Sequence, residues 1–185
     1  MQTDEVRASD ARVNVAAVPL VREIRTTDDY QALREAWTAL PRLPRLLGAG
    51  EGAVILADGR QVIRAVLTGD ESAGALQVSY VTLEPGPGAP PHHQPREDEL
   101  WFALDGEWEW TVGETTMRVG KGAFAYIPRN TTHRFANVGT TTAAMFTLNT
   151  PAGHERGFRK AGENPDMSIA ERRAVLAAHD FVFHR

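Results

Sequence analysis

The chain has 185 residues, 42% hydrophobic and 24% charged, a globular mixture that argues against disordered and fibrous classes. Twenty basic against 24 acidic residues give a net charge of −4, without the basic excess that nucleic acid or an anionic membrane surface requires. Cysteine is absent, which excludes disulfides, thiolate metal sites and a thiol nucleophile. On a scale of about 150 residues per domain, the length fits one domain with appended segments. Asp4, Glu5 and Asp10 precede any apolar run, and the stretch from Val13 to Val21 is short and broken by Asn14 and Pro19. Neither a signal peptide nor a membrane span is predicted, and a cytoplasmic location is expected.

In chain order, residues 1–50 read as an N-terminal extension with one helix. That helix is predicted from about Asp28 to Leu40, with Thr26 or Thr27 as its cap. Tyr30, Leu33, Trp37 and Leu40 recur at helical spacing and predict an apolar face; Pro41 and Pro44 stop the helix. Residues 51–152 change to short β-like runs separated by turn dipeptides. Ala53–Ala57 and Arg60–Leu67 flank Asp58-Gly59, a hairpin signal. Seven further runs follow, at 76–83, 99–104, 107–112, 115–119, 123–127, 133–138 and 143–149. With no long helix between them, they predict an antiparallel sandwich or barrel. Residues 153–185 read as a helical tail, with Ser168 and Glu171 forming a capping-box pattern and Arg172 and Arg173 facing outward.

Two stretches carry the chemistry. The first runs from Gly86 through His92, His93 and Gln94 to Glu99 and Gly106. Strand alternation puts His92 and Gln94 on one face and His93 on the other. The second runs from Gly122 through Pro128, Asn130, His133 and Phe135 to Asn137, with His133 and Phe135 sharing a face. Two imidazoles, a carboxylate and an amide oxygen converging on rigid strands would make a site for Fe, Mn, Ni, Cu or Zn. The plain alternative is that these are exposed histidines and acids around Pro-rich turns. Trp108 and Trp110 alternate with Glu107 and Glu109 and read as packing residues. Glu97 and Asp98 read as solvated loop acids, and His154, His179 and His184 as surface or packing residues.

The two stretches resemble the two motifs of the cupin superfamily. Gly86, His92, Glu99 and Gly106 fall on the first, and Gly122, Pro128, His133 and Asn137 on the second, with 107–121 between them. The resemblance implies an all-β fold, a cupin double-stranded β-helix or jelly-roll barrel, with helical N- and C-terminal extensions outside it. It also implies a homodimer with one divalent transition metal per chain held by motif residues. There are two departures from the pattern. Asn130 stands where the family has glycine, a harmless change because Asn tolerates left-handed backbone. Gln94 stands where the family has a second histidine, and a neutral amide oxygen is a poorer donor. His93 could replace it only through a bulge or a one-residue slip. His92, Glu99 and His133 would then form the two-histidine, one-carboxylate set of non-haem iron oxygenases, with Gln94 a weak fourth ligand or a hydrogen bonder.

The run from Pro90 to Glu99, Asn149 to Gly153, and a terminal helix ending at Phe181-Val182-Phe183 resemble quercetinase-like cupins. That resemblance implies an O2-dependent dioxygenase acting on a flavonol or related polyphenol. Glu99 would be both ligand and base, and Trp101 and Phe135 would present aromatic surface to the substrate. Metal-assisted isomerisation or cyclisation of a polyketide-like substrate, and a non-catalytic binding barrel with a degenerate metal site, remain as alternatives.

Overall fold

The structure is a computed structural model; it describes residues 44–184, together with Thr27, Gln31 and Glu35. The chain divides into two units, residues 1–42 and 43–185. In the first, Thr27, Gln31 and Glu35 are helical and exposed. The expected apolar face of Tyr30, Leu33, Trp37 and Leu40 lies outside the described residues.

The second unit holds twelve strands and two helices among the described residues. The strands are β1 (Ala53–Ala57), β2 (Gln61–Leu67), β3 (Gln77–Leu83), β4 (Gly86–Pro87), β5 (His92–His93), β6 (Asp98–Asp105), β7 (Trp108–Val112), β8 (Thr115–Val119), β9 (Phe124–Ile127), β10 (His133–Asn137), β11 (Ala143–Thr150) and β12 (Val182–Phe183). The helices are α1 (His154–Gly162) and α2 (Ile169–Ala177). All strand pairs are antiparallel. One sheet has the order β1-β2-β3-β11-β6-β9; the other has β12-β5-β10-β7-β8, with β4 also on β10. No helix among the described residues is long and apolar enough to cross a membrane.

Alternation drives the assembly. Along β3, Gln77, Ser79, Val81 and Leu83 are buried while the residues between them are half-exposed. Along β10, His133, Phe135 and Asn137 are the buried set. The inner faces meet on Ile63, Val81, Leu83, Trp101, Trp108 and Met145. Trp101 packs edge-on against Trp110 and Phe135, each at 5.4 Å between ring centres. Trp108 and Trp110 are core residues, as expected.

Turn chemistry closes the strands. Gly106 has φ 81°, and a Cβ there would lie 2.4 Å from the Ala143 Cβ, so only glycine fits. Asn137 ties the second motif together: its Nδ2 donates to the carbonyls of Leu83 and Thr141, and its Oδ1 accepts from Gly139 N–H. Asn130 takes the left-handed φ of 65° that the missing glycine would have taken, and its N–H donates to the Gln94 carbonyl at 2.8 Å.

The tail differs from its expected form. Ser168 and Glu171 form the reciprocal capping box. However, the helix ends at Ala177, and Val182–Phe183 returns as a strand against β5. Two consecutive residues carry no readable alternation, which is why the aromatic ending read as helix. Arg172 does not face outward: it is largely buried and its Nη1 bonds Asp58 Oδ2 at 2.8 Å, since α2 lies against the β1–β2 turn.

Candidate metal centre

Three strands bring the motif side chains together. His92 on β5 and His133 on β10 are direct register partners, and their ring centres lie 4.4 Å apart. Glu99 enters from β6 in the other sheet, on the inward face it shares with Trp101 and Ala103. One ligand atom from each of His92, Glu99 and His133 lies within 4.8 Å of the others, and all three residues are buried. Gln94 is also buried, in the loop after β5, and its Nε2 is sealed from solvent with no hydrogen-bond partner.

Backbone carbonyls fix both rings. His92 Nδ1 lies 2.9 Å from Pro90 O, and His133 Nδ1 lies 2.8 Å from Thr131 O. A carbonyl can only accept, so each Nδ1 carries the proton and each Nε2 is left as a bare lone pair. Glu99 is oriented in the same way: Trp101 Nε1 donates to Oε1 at 2.8 Å, while Oε2 has no hydrogen-bond partner. His133 Nε2 is likewise unpartnered, yet it sits 3.2 Å from Glu99 Oε2. That contact is close but poorly aligned for a hydrogen bond. At that separation a bare nitrogen and a carboxylate oxygen repel unless positive charge stands with them, as a proton on His133 Nε2 or as a metal ion, and the donor set fits a divalent metal.

The electrostatics agree. Burial, aided by the nearby His133, lowers the His92 pKa to about 3, so this ring is neutral near pH 7. Burial pushes the Glu99 carboxyl up, but the contact with His133 and the pull of His154 and His92 outweigh it and hold the group at about 2. A neutral His92 imidazole and an ionised Glu99 carboxylate are in the protonation states a metal needs.

A cavity of about 720 Å³ opens on His92 and Glu99. Its walls are largely apolar, with Ile63, Leu83, Phe135, Phe158, Phe181 and Phe183 among them. Gly88 stands against Phe135: a Cβ at position 88 would lie 2.4 Å from the ring. Phe135 lines this wall of the cavity. Trp101 is fully buried, does not line the cavity, and braces Glu99 instead.

Two acids, Glu97 and Asp98, depart from their sequence reading, and of its surface and packing readings His154 takes the packed one. His154, the first residue of α1, is buried and lines the cavity. Its ring lies 4.3 Å from that of Phe181 and 4.9 Å from that of Phe158. Burial lowers its pKa to about 4, partly opposed by the charge of Glu99. Glu97 is not a solvated acid but buried, and burial raises its pKa. Asp98 opens β6 and holds the Arg129 side chain at 3.0 Å. His93 points away from the centre, where its Nδ1 meets His184 Nε2 at 2.8 Å.

Residues 79–149 match the cupin domain family. The fold is a cupin barrel. Among solved structures, KdgF from Halomonas sp. is similar at 17% identity and a TM-score of 0.52, over 59% of this chain and 94% of that one. An RmlC-like cupin from Shewanella frigidimarina is similar at 13% identity and a TM-score of 0.50, over 60% and 94%. A proposed sugar phosphate isomerase from Acidithiobacillus ferrooxidans aligns at 21% identity and a TM-score of 0.44, over 50% of this chain; the chain spans 60% of its length. At such identities the likeness is one of fold. No curated protein matches the chain.

Proposed function

We propose that this cupin is a metal-dependent enzyme acting on a small aromatic or polyphenolic substrate, in its sharpest form an O2-dependent dioxygenase of quercetinase type. The observation that carries the reading is the convergence of ligand atoms from His92, Glu99 and His133 beside a largely apolar cavity that His92 and Glu99 line. His92, Glu99 and His133 would hold the metal, which supplies Lewis-acid polarisation of a substrate oxygen. Glu99 is ionised and its Oε1 is held by Trp101, and it would act both as ligand and as acceptor of a hydroxyl proton. The cavity's aromatic walls offer flat surface to a planar ring.

Metal-assisted isomerisation or cyclisation is the second reading, favoured by the buried neutral His154 on the same cavity, because moving a proton between two substrate atoms uses a second polar group. The test is oxygen uptake by metal-reconstituted protein with quercetin in a closed electrode cell, beside the same reaction under argon. The dioxygenase reading expects uptake that depends on substrate and disappears in Glu99→Gln. Turnover under argon overturns it in favour of isomerisation. Retained flavonol binding without turnover in either cell leaves the binding-barrel alternative.

A further inference from the structure

His154 stands alone in the sequence, yet it is as buried as the three motif residues and opens on the same cavity. Its Nδ1 is engaged by the side-chain amide of Asn149, with Nδ2 at 3.3 Å. Asn149 is completely buried on β11, directly opposite Glu99 in the register of the sheet, so the pair is anchored beside the centre. With the amide turned this way its nitrogen donates, Nδ1 accepts and the ring proton sits on Nε2; the reverse turn would put Asn149 Oδ1, which has no other partner, against an Nδ1–H. Nε2 makes no hydrogen bond among the described residues. It is also absent from the sealed, unpartnered atoms, so it reaches the cavity surface.

This tautomer is the mirror image of that of the two motif histidines, whose Nδ1 protons leave Nε2 bare. We infer that His154 is a substrate-binding residue whose Nε2–H donates a hydrogen bond to an acceptor oxygen of the substrate, beside the metal centre and not as a ligand of it. The ring stays neutral near pH 7 and is wedged between Phe158 and Phe181, so its donor is fixed in direction before any substrate arrives. The chemistry selects a substrate with an oxygen acceptor, such as a ring carbonyl, near the oxygen that the metal and Glu99 would engage. This role rests on the reading of the cavity as a substrate chamber.

Two measurements test it separately. Long-range 1H–15N correlation on zinc-loaded protein labelled with [15N]histidine should show the Nε2–H tautomer for residue 154, and Asn149→Leu should disturb that tautomer. An Nδ1–H tautomer overturns the assignment whether or not the protein is an enzyme. The fluorescence of 3-hydroxyflavone then reports affinity for the zinc-loaded protein. His154→Phe should weaken binding roughly tenfold, the size of one hydrogen bond, with zinc content unchanged. His154→Gln, which keeps an N–H, should retain most of the affinity. Zinc loss in either His154 variant would make the residue a ligand and overturn the inference. If the wild-type protein does not bind 3-hydroxyflavone, the flavonol reading fails, and the tautomer still decides for His154.

Discussion

The two histidines of the centre face each other across one strand pair, but they are held in different ways. His133 opens a five-residue strand that pairs with β7 along its whole length and also meets β4 and β5. His92 sits on a two-residue strand, with one register pair to β10 and two to β12. Aromatic rings stand in for the missing ladder: Phe181 stacks on the His92 ring at 5.7 Å and 22°, and Phe183 lies at 6.0 Å. One candidate ligand is thus preorganised by the barrel and the other by the C-terminal tail. A site built this way has one rigid side and one whose order depends on a short segment, where local opening costs least.

The largest effects are expected where the barrel itself supplies the ligand. Glu99→Gln or His133→Ala should lower metal affinity at least a hundredfold, measured as metal per chain by plasma mass spectrometry after competition with a chelator. Phe181→Ala sharpens the contrast. It should cost about 3 kcal/mol in denaturant unfolding and weaken metal binding about tenfold. Amide exchange should quicken at His92 and His93 and stay slow along β10; equal quickening in both strands would abolish the distinction.

Acid acts on both sides of the site. Folding keeps His92 and His154 neutral, with pKa values of about 3 and 4 against an ordinary 6.5. Between 6.5 and about 4 the unfolded chain therefore binds protons that the folded chain refuses, and stability falls as pH is lowered through that window. Glu99 adds stability above its ordinary 4.5 that is lost as pH falls towards about 2. The metal-free protein should accordingly melt at lower temperature at pH 4.5 than at pH 7. His154→Phe should flatten that slope; an unchanged slope would mean the imidazole does not titrate in this way. The smallest effect belongs to the tail's own cap: Ser168→Ala should lower Tm by about 2–4 °C and leave metal affinity unchanged.

What the sequence revealed follows the same division. The nine longer strands could be read because alternation and Asp-Gly or Gly-Glu turns persist over four or more residues, and the motif spacing marked His92, Glu99 and His133. β4 and β12 are too short to show a period, so the sheet edge beyond β5 could not be read; at β5 itself only the alternation of His92 against His93 could. His154 has no partner at a readable spacing. Its burial depends on Phe158, one turn further along the same helix, on Phe181 in the segment before β12, and on an asparagine that reads as an ordinary strand residue. Glu97 was missed for a related reason: a loop acid looks solvated until the chain packed over it is known.

Gly88 has a consequence beyond packing. The wall of the chamber at Phe135 stands where it does because position 88 has only a hydrogen facing the ring. The width of the chamber there is set by an omission, and a single added methyl would push the ring away from position 88 without touching a ligand. Position 88 thus sets the bore of this barrel at one remove from the candidate centre, since a displaced Phe135 would reach Glu99 only through Trp101, which touches both.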